Sequence, residues 1–273
     1  MGEEKRGEGP KSIWPLLLAL ALACLGTALA YFGYVLGPVS LNINELLGSA
    51  IFWYAAVFLL LTVPFREAAR IFSKYIRTSS GIAVFAFYMA IHLVLYGFLF
   101  EAILASIYSA GPFVATPGFF VTTNVFLPPS LASTIFDIAY NPSIVMIAPP
   151  VFTMVLSFYN ISAALIISVL VLANISKTKE LGELCTARRK ARTFVVLPAL
   201  GIVFGASCCL SVAGLMSLTP PAAAVLASAA WIYYGTYFFF PSVAAVLLYL
   251  NLRSVERISA GLRSPQADPD STL

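Results

Sequence analysis

Long apolar runs with almost no charge inside them constrain this chain more than any other feature. A helix needs about 20 apolar residues, within a range of roughly 17–25, to cross about 30 Å of hydrocarbon. Six stretches of the 273-residue chain meet that requirement: 13–36, 46–63, 82–108, 151–173, 194–218 and 222–250. Charged residues make up 10% of the whole and hydrophobic ones 60%, whereas a soluble domain carries about 25% charged residues. Hydrocarbon offers no partner to a backbone N–H or C=O, so each stretch is expected to be a helix. The expected fold class is all-α, a polytopic transmembrane helical bundle over 13–252 flanked by tails at 1–12 and 253–273.

The basic residues predict how the bundle is threaded. Lys5, Arg6 and Lys11 precede the first stretch, and Arg66, Arg70, Lys74 and Arg77 follow the second. Lys177, Lys179, Arg188, Arg189, Lys190 and Arg192 follow the fourth, and Arg253, Arg257 and Arg263 follow the sixth. Segments 37–45, 109–142 and 219–221 contain no Lys or Arg. The positive-inside rule then predicts six spans with both termini and both basic loops in the cytosol, in a multi-pass protein of the cell membrane. Lipid is its first partner. The net charge of +4 sits in these topological clusters, so nucleic acid is not expected as a partner. Residues 13–30 also resemble a secretory signal, with a basic flank and Ala28-Leu29-Ala30 as the cleavage sequence. The apolar run continues to Leu36, longer than the about 7–15 residues of a signal core, which favours a retained span.

Between the third and fourth stretches, residues 109–150 are expected to form an external cap. Pro112, Pro117, Pro128 and Pro129 break regular structure. Ser130 to Tyr140 predicts a short helix with Ser130 as N-cap and Leu131, Ile135 and Ile138 on one face. Asn141-Pro142 turns the chain, the apolar residues 143–148 come next, and Pro149-Pro150 marks a break before the fourth span.

In the first basic loop, residues 64–80 predict an amphipathic helix. Phe65, Ala69, Phe72 and Ile76 form its apolar stripe, and Arg66, Arg70, Lys74 and Arg77 its polar one. Such a helix is either an interfacial linker drawn to anionic lipid or a docking element for a cytosolic protein partner.

Few side chains inside the spans invite chemistry. His92, the only histidine, shares a face of the third span with Tyr88 and Tyr96. Its readings are a packed imidazole bonded to a carbonyl, a proton relay, a quinone contact, or a metal or haem ligand. Bis-histidine haem is excluded within this chain. Glu101, nine residues on, falls on the opposite face of an undistorted helix. It reads as a hydrogen-bonding partner of the cap or as a carboxylate gating protons or cations. Cys208 and Cys209 in the fifth span lie about 100° apart on a helix, so they face different neighbours. Gly201, Gly205, Cys209 and Ala213 make a small-residue ridge for close helix packing. The competing reading is thiol exchange or ligation of a soft metal such as Cu(I). Pro241 is expected to kink the sixth span. No GxxxxGK[ST], HExxH or CxxC occurs. Nucleotide hydrolysis by the chain alone is therefore not expected, no catalytic residue is assigned, and no cofactor is identified.

Six spans, internal termini and a basic helix after the second span resemble the permease subunits of some ATP-driven transporters, a resemblance of topology. It implies a membrane pathway worked by a separate energising protein. The expected function is the membrane-spanning subunit of a transport system, with a cytosolic partner docking on 64–80 and 174–193. The alternatives are a thiol-redox or metal-handling membrane protein using Cys208 and Cys209, and a structural subunit of a respiratory membrane complex.

Overall fold

The computed structural model describes residues 13–36, 43–90, 118–122, 134, 138–139, 143–148, 152–184 and 230–263. These residues are mostly helical. The helices are α1 (Trp14–Leu36), α2 (Ile43–Thr62), α3 (Arg66–Tyr75), α4 (Ser79–Ala90), α5 (Phe158–Leu184) and α6 (Ala230–Arg263). Three strands lie between α4 and α5: β1 (Gly118–Thr122), β2 (Ser143–Ala148) and β3 (Phe152–Ser157). Among the described residues, three helices contain segments long and apolar enough to cross a membrane, Trp14–Gly33, Ile43–Thr62 and Phe158–Leu181. The α4 helix is apolar but only 12 residues long as described. Residues 91–108 and 194–218, expected in the third and fifth spans, lie outside the described residues.

Helix α5 is the axis of the bundle and packs against α2, α3, α4 and α6. It is apolar all round, the composition of a helix with neighbours on every side, and 78% of its apolar window is buried. Ile167, Leu170 and Val171 are fully enclosed, and Leu248 and Leu252 of α6 join them in one cluster. The apolar windows of α1 and α2 are only 22% buried. On α1, Leu16, Leu17, Leu18, Leu20, Leu22 and Leu25 all stand exposed. An apolar surface of that extent calls for lipid or protein against it.

The α1–α2 contact is made backbone to backbone. A Cβ added at Gly48 would lie 2.4 Å from the Ala30 nitrogen, and one at Gly26 would lie 2.7 Å from the Gly48 carbonyl oxygen. Small residues facing one another permit this approach.

The largest departure from expectation is before α5. The sequence predicts a fourth span from 151 to 173, but residues 152–157 are strand β3 and the helix runs from Phe158 to Leu184. The strands form one antiparallel sheet in the order β1-β2-β3, with Gly118 opposite Ile147 and Ala148 opposite Phe152. The fold is therefore not purely helical: residues 118–122 and 143–148 of the expected cap are strands, as are residues 152–157 of the expected fourth span. A short apolar run satisfies either a strand or a buried helix. Here the β-branched residues of 143–148 and 152–157, divided by Pro149-Pro150, favour pairing. Ser157 ends the strand and caps the helix, its Oγ accepting a hydrogen bond from the Asn160 backbone N–H at 3.2 Å.

Of the helix expected at 130–140, Thr134, Ile138 and Ala139 are described; they are helical and buried. The Ile138 carbonyl accepts bonds from Ser49 Oγ at 2.9 Å and Trp53 Nε1 at 2.8 Å, which fixes this segment against α2. Trp53 also stacks on Tyr159 at the start of α5, with ring centroids 5.0 Å apart. The sheet thus occupies the end of the bundle where α5 begins. Helix α6 contains Pro241 and runs for 34 residues to Arg263, a length of about 51 Å, longer than the hydrocarbon is thick.

Candidate functional site

The basic end of the bundle is where the described residues bring functional side chains together. The chain leaves α2 through a tight turn in which the Phe65 backbone N–H donates to the Leu60 carbonyl at 2.9 Å. Helix α3 begins at once. Phe65, Ala68 and Ile71 are buried, and Phe72 and Tyr75 pack on the same core cluster as α5 and α6. Phe65 meets Tyr249 of α6, and Phe72 meets Phe85 of α4, each at 5.4 Å between centroids. The buried face therefore differs from the predicted stripe: Ala68 and Ile71 are inside, while Ala69 and Ile76 are half-buried. The physical reason is that α3 packs on protein. Ala68, with no exposed surface, lets its backbone settle close to the bundle.

The opposite face is charged, with Arg66, Arg70, Lys74 and Arg77 exposed as expected. At the flank of α3, where these side chains come near Lys177 of α5, lies a cleft of about 480 Å³, lined by Glu67, Arg70, Ser73, Lys74, Arg77 and Lys177. Ile71 is the apolar residue of the lining. Arg70 pairs with Glu67, and Lys177 pairs with Glu180 at 2.9 Å. Among the described residues, neither Lys74 nor Arg77 forms an ion pair. Glu67 and Ser73 carry no signal of their own in the sequence, and Lys177 stands out there only as one of the basic residues after the fourth stretch. Lys177 is about a hundred residues from α3, and only the fold brings them together.

Helix α6 adds Arg253 and Glu256 to this end. The Arg253 Nε donates to the Tyr249 hydroxyl at 2.9 Å and its guanidinium lies over that ring, which raises its pKa. Burial raises the Glu256 pKa, aided by the charge of Glu67 and a hydrogen bond with it; Lys177 and Arg253 pull it back in part. The folded protein thus holds a proton on Glu256 at a pH where the unfolded chain, with an ordinary value of 4.5, has released it. The stability this contributes is present below that value and is lost as pH rises through the folded pKa. A Glu256→Gln variant should melt like the parent below pH 4.5 and slightly above it at pH 7. Parallel melting curves at both pH values test this; an equal offset at the two would show that the carboxyl is not the cause.

One turn into the bundle, α5 and α6 are clamped by a buried amide pair. Asn251 Nδ2 donates to Asn174 Oδ1 at 2.8 Å, and Asn174 Nδ2 donates to the carbonyls of Leu248 at 2.9 Å and Leu170 at 2.7 Å. The sequence signal for this pair is two amides at the ends of apolar stretches, where a polar group needs an internal partner. Glu45, buried on α2 beside Gly33, is a further polar residue that the sequence reading does not pick out.

Of the residues proposed within the spans, Tyr88 is described. It lies buried in the core cluster on α4. His92, Tyr96, Glu101, Cys208 and Cys209 lie outside the described residues. Among the described residues, no three His, Cys, Asp or Glu side chains gather as metal ligands. No family model matches this chain, and neither a curated protein nor a solved structure shows significant similarity to it.

Proposed function

We propose that this chain is the membrane-spanning subunit of a transport system, threaded six times with both termini in the cytosol, and that a cytosolic partner engages its basic end. One observation carries the reading. Helix α3 is amphipathic, yet its apolar face is packed into the most enclosed helix of the bundle while its charged face stays outward. Force applied to that outer face would reach α5 directly. A linker that merely rests on lipid would not need Phe65, Ala68 and Ile71 inside the protein core.

The threading is tested by labelling. A Lys74→Cys variant should react with a membrane-impermeant thiol reagent only after the cells are opened. The transport reading is tested in a deletion strain. Loss of the chain should change uptake or efflux of at least one solute in a broad panel, and Arg66→Glu at normal abundance should reproduce that change by at least fivefold. Unaltered transport on deletion would end the proposal.

A further inference from the structure

The cleft beside α3 sits at a defined height in the bundle. The apolar helix α2 ends at Thr62, α3 occupies 66–75, and the apolar helix α4 starts at Ser79. The chain therefore passes α3 at the level where it leaves and re-enters apolar surroundings. Lys177 lies four residues before the end of the apolar window of α5. Four basic side chains, three from α3 and the turn after it and one from α5, thus line the cleft at the edge of the apolar zone, with Glu67 as the acidic residue of the lining and Glu180 and Glu256 close to Lys177.

The size and chemistry of the cleft select an occupant. A volume of about 480 Å³ suits a small ligand or headgroup, the usual range being roughly 300–1,000 Å³. A protein partner would need a wider face, about 800 Å² on each side. Arg70 and Lys177 are positioned by Glu67 and Glu180, while Lys74 and Arg77 form no ion pair among the described residues. Guanidinium and ammonium groups together are the donors that bind phosphate oxygens. Ile71 is the apolar residue of the lining and is itself largely buried, so the cleft presents mainly polar and charged groups. Basic pockets at this height on the cytosolic side are suited to anionic headgroups.

We infer that this cleft binds the phosphate of an anionic phospholipid headgroup from the cytosolic leaflet, held by Arg70, Lys74, Arg77 and Lys177. The site stands whether or not the chain serves transport. It rests on the sidedness proposed above, which the labelling of Lys74→Cys tests separately.

The test uses the full chain purified in mild detergent and titrated with short-chain phosphatidylglycerol or phosphatidylcholine, with lipid retention read by native mass spectrometry. Phosphatidylglycerol should be retained at least tenfold better than phosphatidylcholine. The double variant Lys74→Gln/Arg77→Gln should lose about tenfold of that retention. Lys179→Gln, an exposed α5 lysine outside the cleft, should lose none. Gel filtration identifies a misfolded double variant, in which case the single variant Lys177→Gln carries the same test. Equal retention of the two lipids, or unchanged retention in the cleft variants, would overturn the assignment. Displacement of the lipid by equimolar inorganic phosphate or glycerophosphoglycerol would transfer the site to a soluble phosphate ester and overturn it as well. Loss of a co-purifying protein from the double variant, with lipid retention intact, would assign the cleft to that protein instead.

Discussion

A Gly48→Leu variant should fail to survive extraction in mild detergent, and Gly48→Ala should survive with a clearly lowered melting temperature. The obstruction is backbone on both sides. A Cβ at Gly48 meets the Ala30 nitrogen at 2.4 Å and the Gly26 oxygen at 2.6 Å, so no flexible side chain can yield. The helices must separate, and overpacking of this kind costs about 1–3 kcal/mol for small insertions and more for a leucine. For a protein of this size that is roughly 2–10 °C for alanine. Gly261→Ala is the control, because nothing lies within 4 Å of the Cβ it would add. It should be neutral or slightly stabilising, by about 0.5–1 kcal/mol. Melting curves from fluorescence-detected gel filtration read all three. A Gly48→Ala protein that melts with the parent would show that α1 and α2 are not apposed as described.

The second large effect concerns Asn174 and Asn251. Truncating Asn251 to alanine leaves Asn174 Oδ1 buried without the donor it now has at 2.8 Å. A stranded buried acceptor costs about 1–3 kcal/mol, nearer the lower figure where neighbouring helices offer substitutes. The melting temperature should fall by roughly 3–6 °C. Replacing both residues by leucine removes donor and acceptor together and should cost less than the sum of Asn174→Leu and Asn251→Leu, giving a coupling of about 1 kcal/mol in that double-mutant cycle. Strictly additive losses would mean that the two amides do not act as a pair.

Much of this architecture is legible in the residues. Helices α1 and α2 come from apolar length alone, since a run from Ile13 to Leu36 or one ending near Val63 has no other stable form in hydrocarbon. The start of α5 is not legible in the same way. Apolar character over 152–157 is common to a strand and a helix, and Pro149-Pro150 signals a break without selecting the element beyond it. For α3, the spacing of Phe65 and Phe72 predicts the helix, but the burial of Ala68 and Ile71 depends on α5 lying behind it. Sequence places Arg70, Lys74 and Arg77 on one face. It cannot place Lys177 opposite them, because no local rule links positions so far apart.

Strand β3 passes into α5 without a linker, the side chain of Ser157 serving both elements. From that hand-over to Leu184 the chain is one unbroken rod of 27 residues, about 40 Å long. Displacement of the sheet is therefore transmitted along α5 toward Lys177 as tilt, rotation or sliding of the helix.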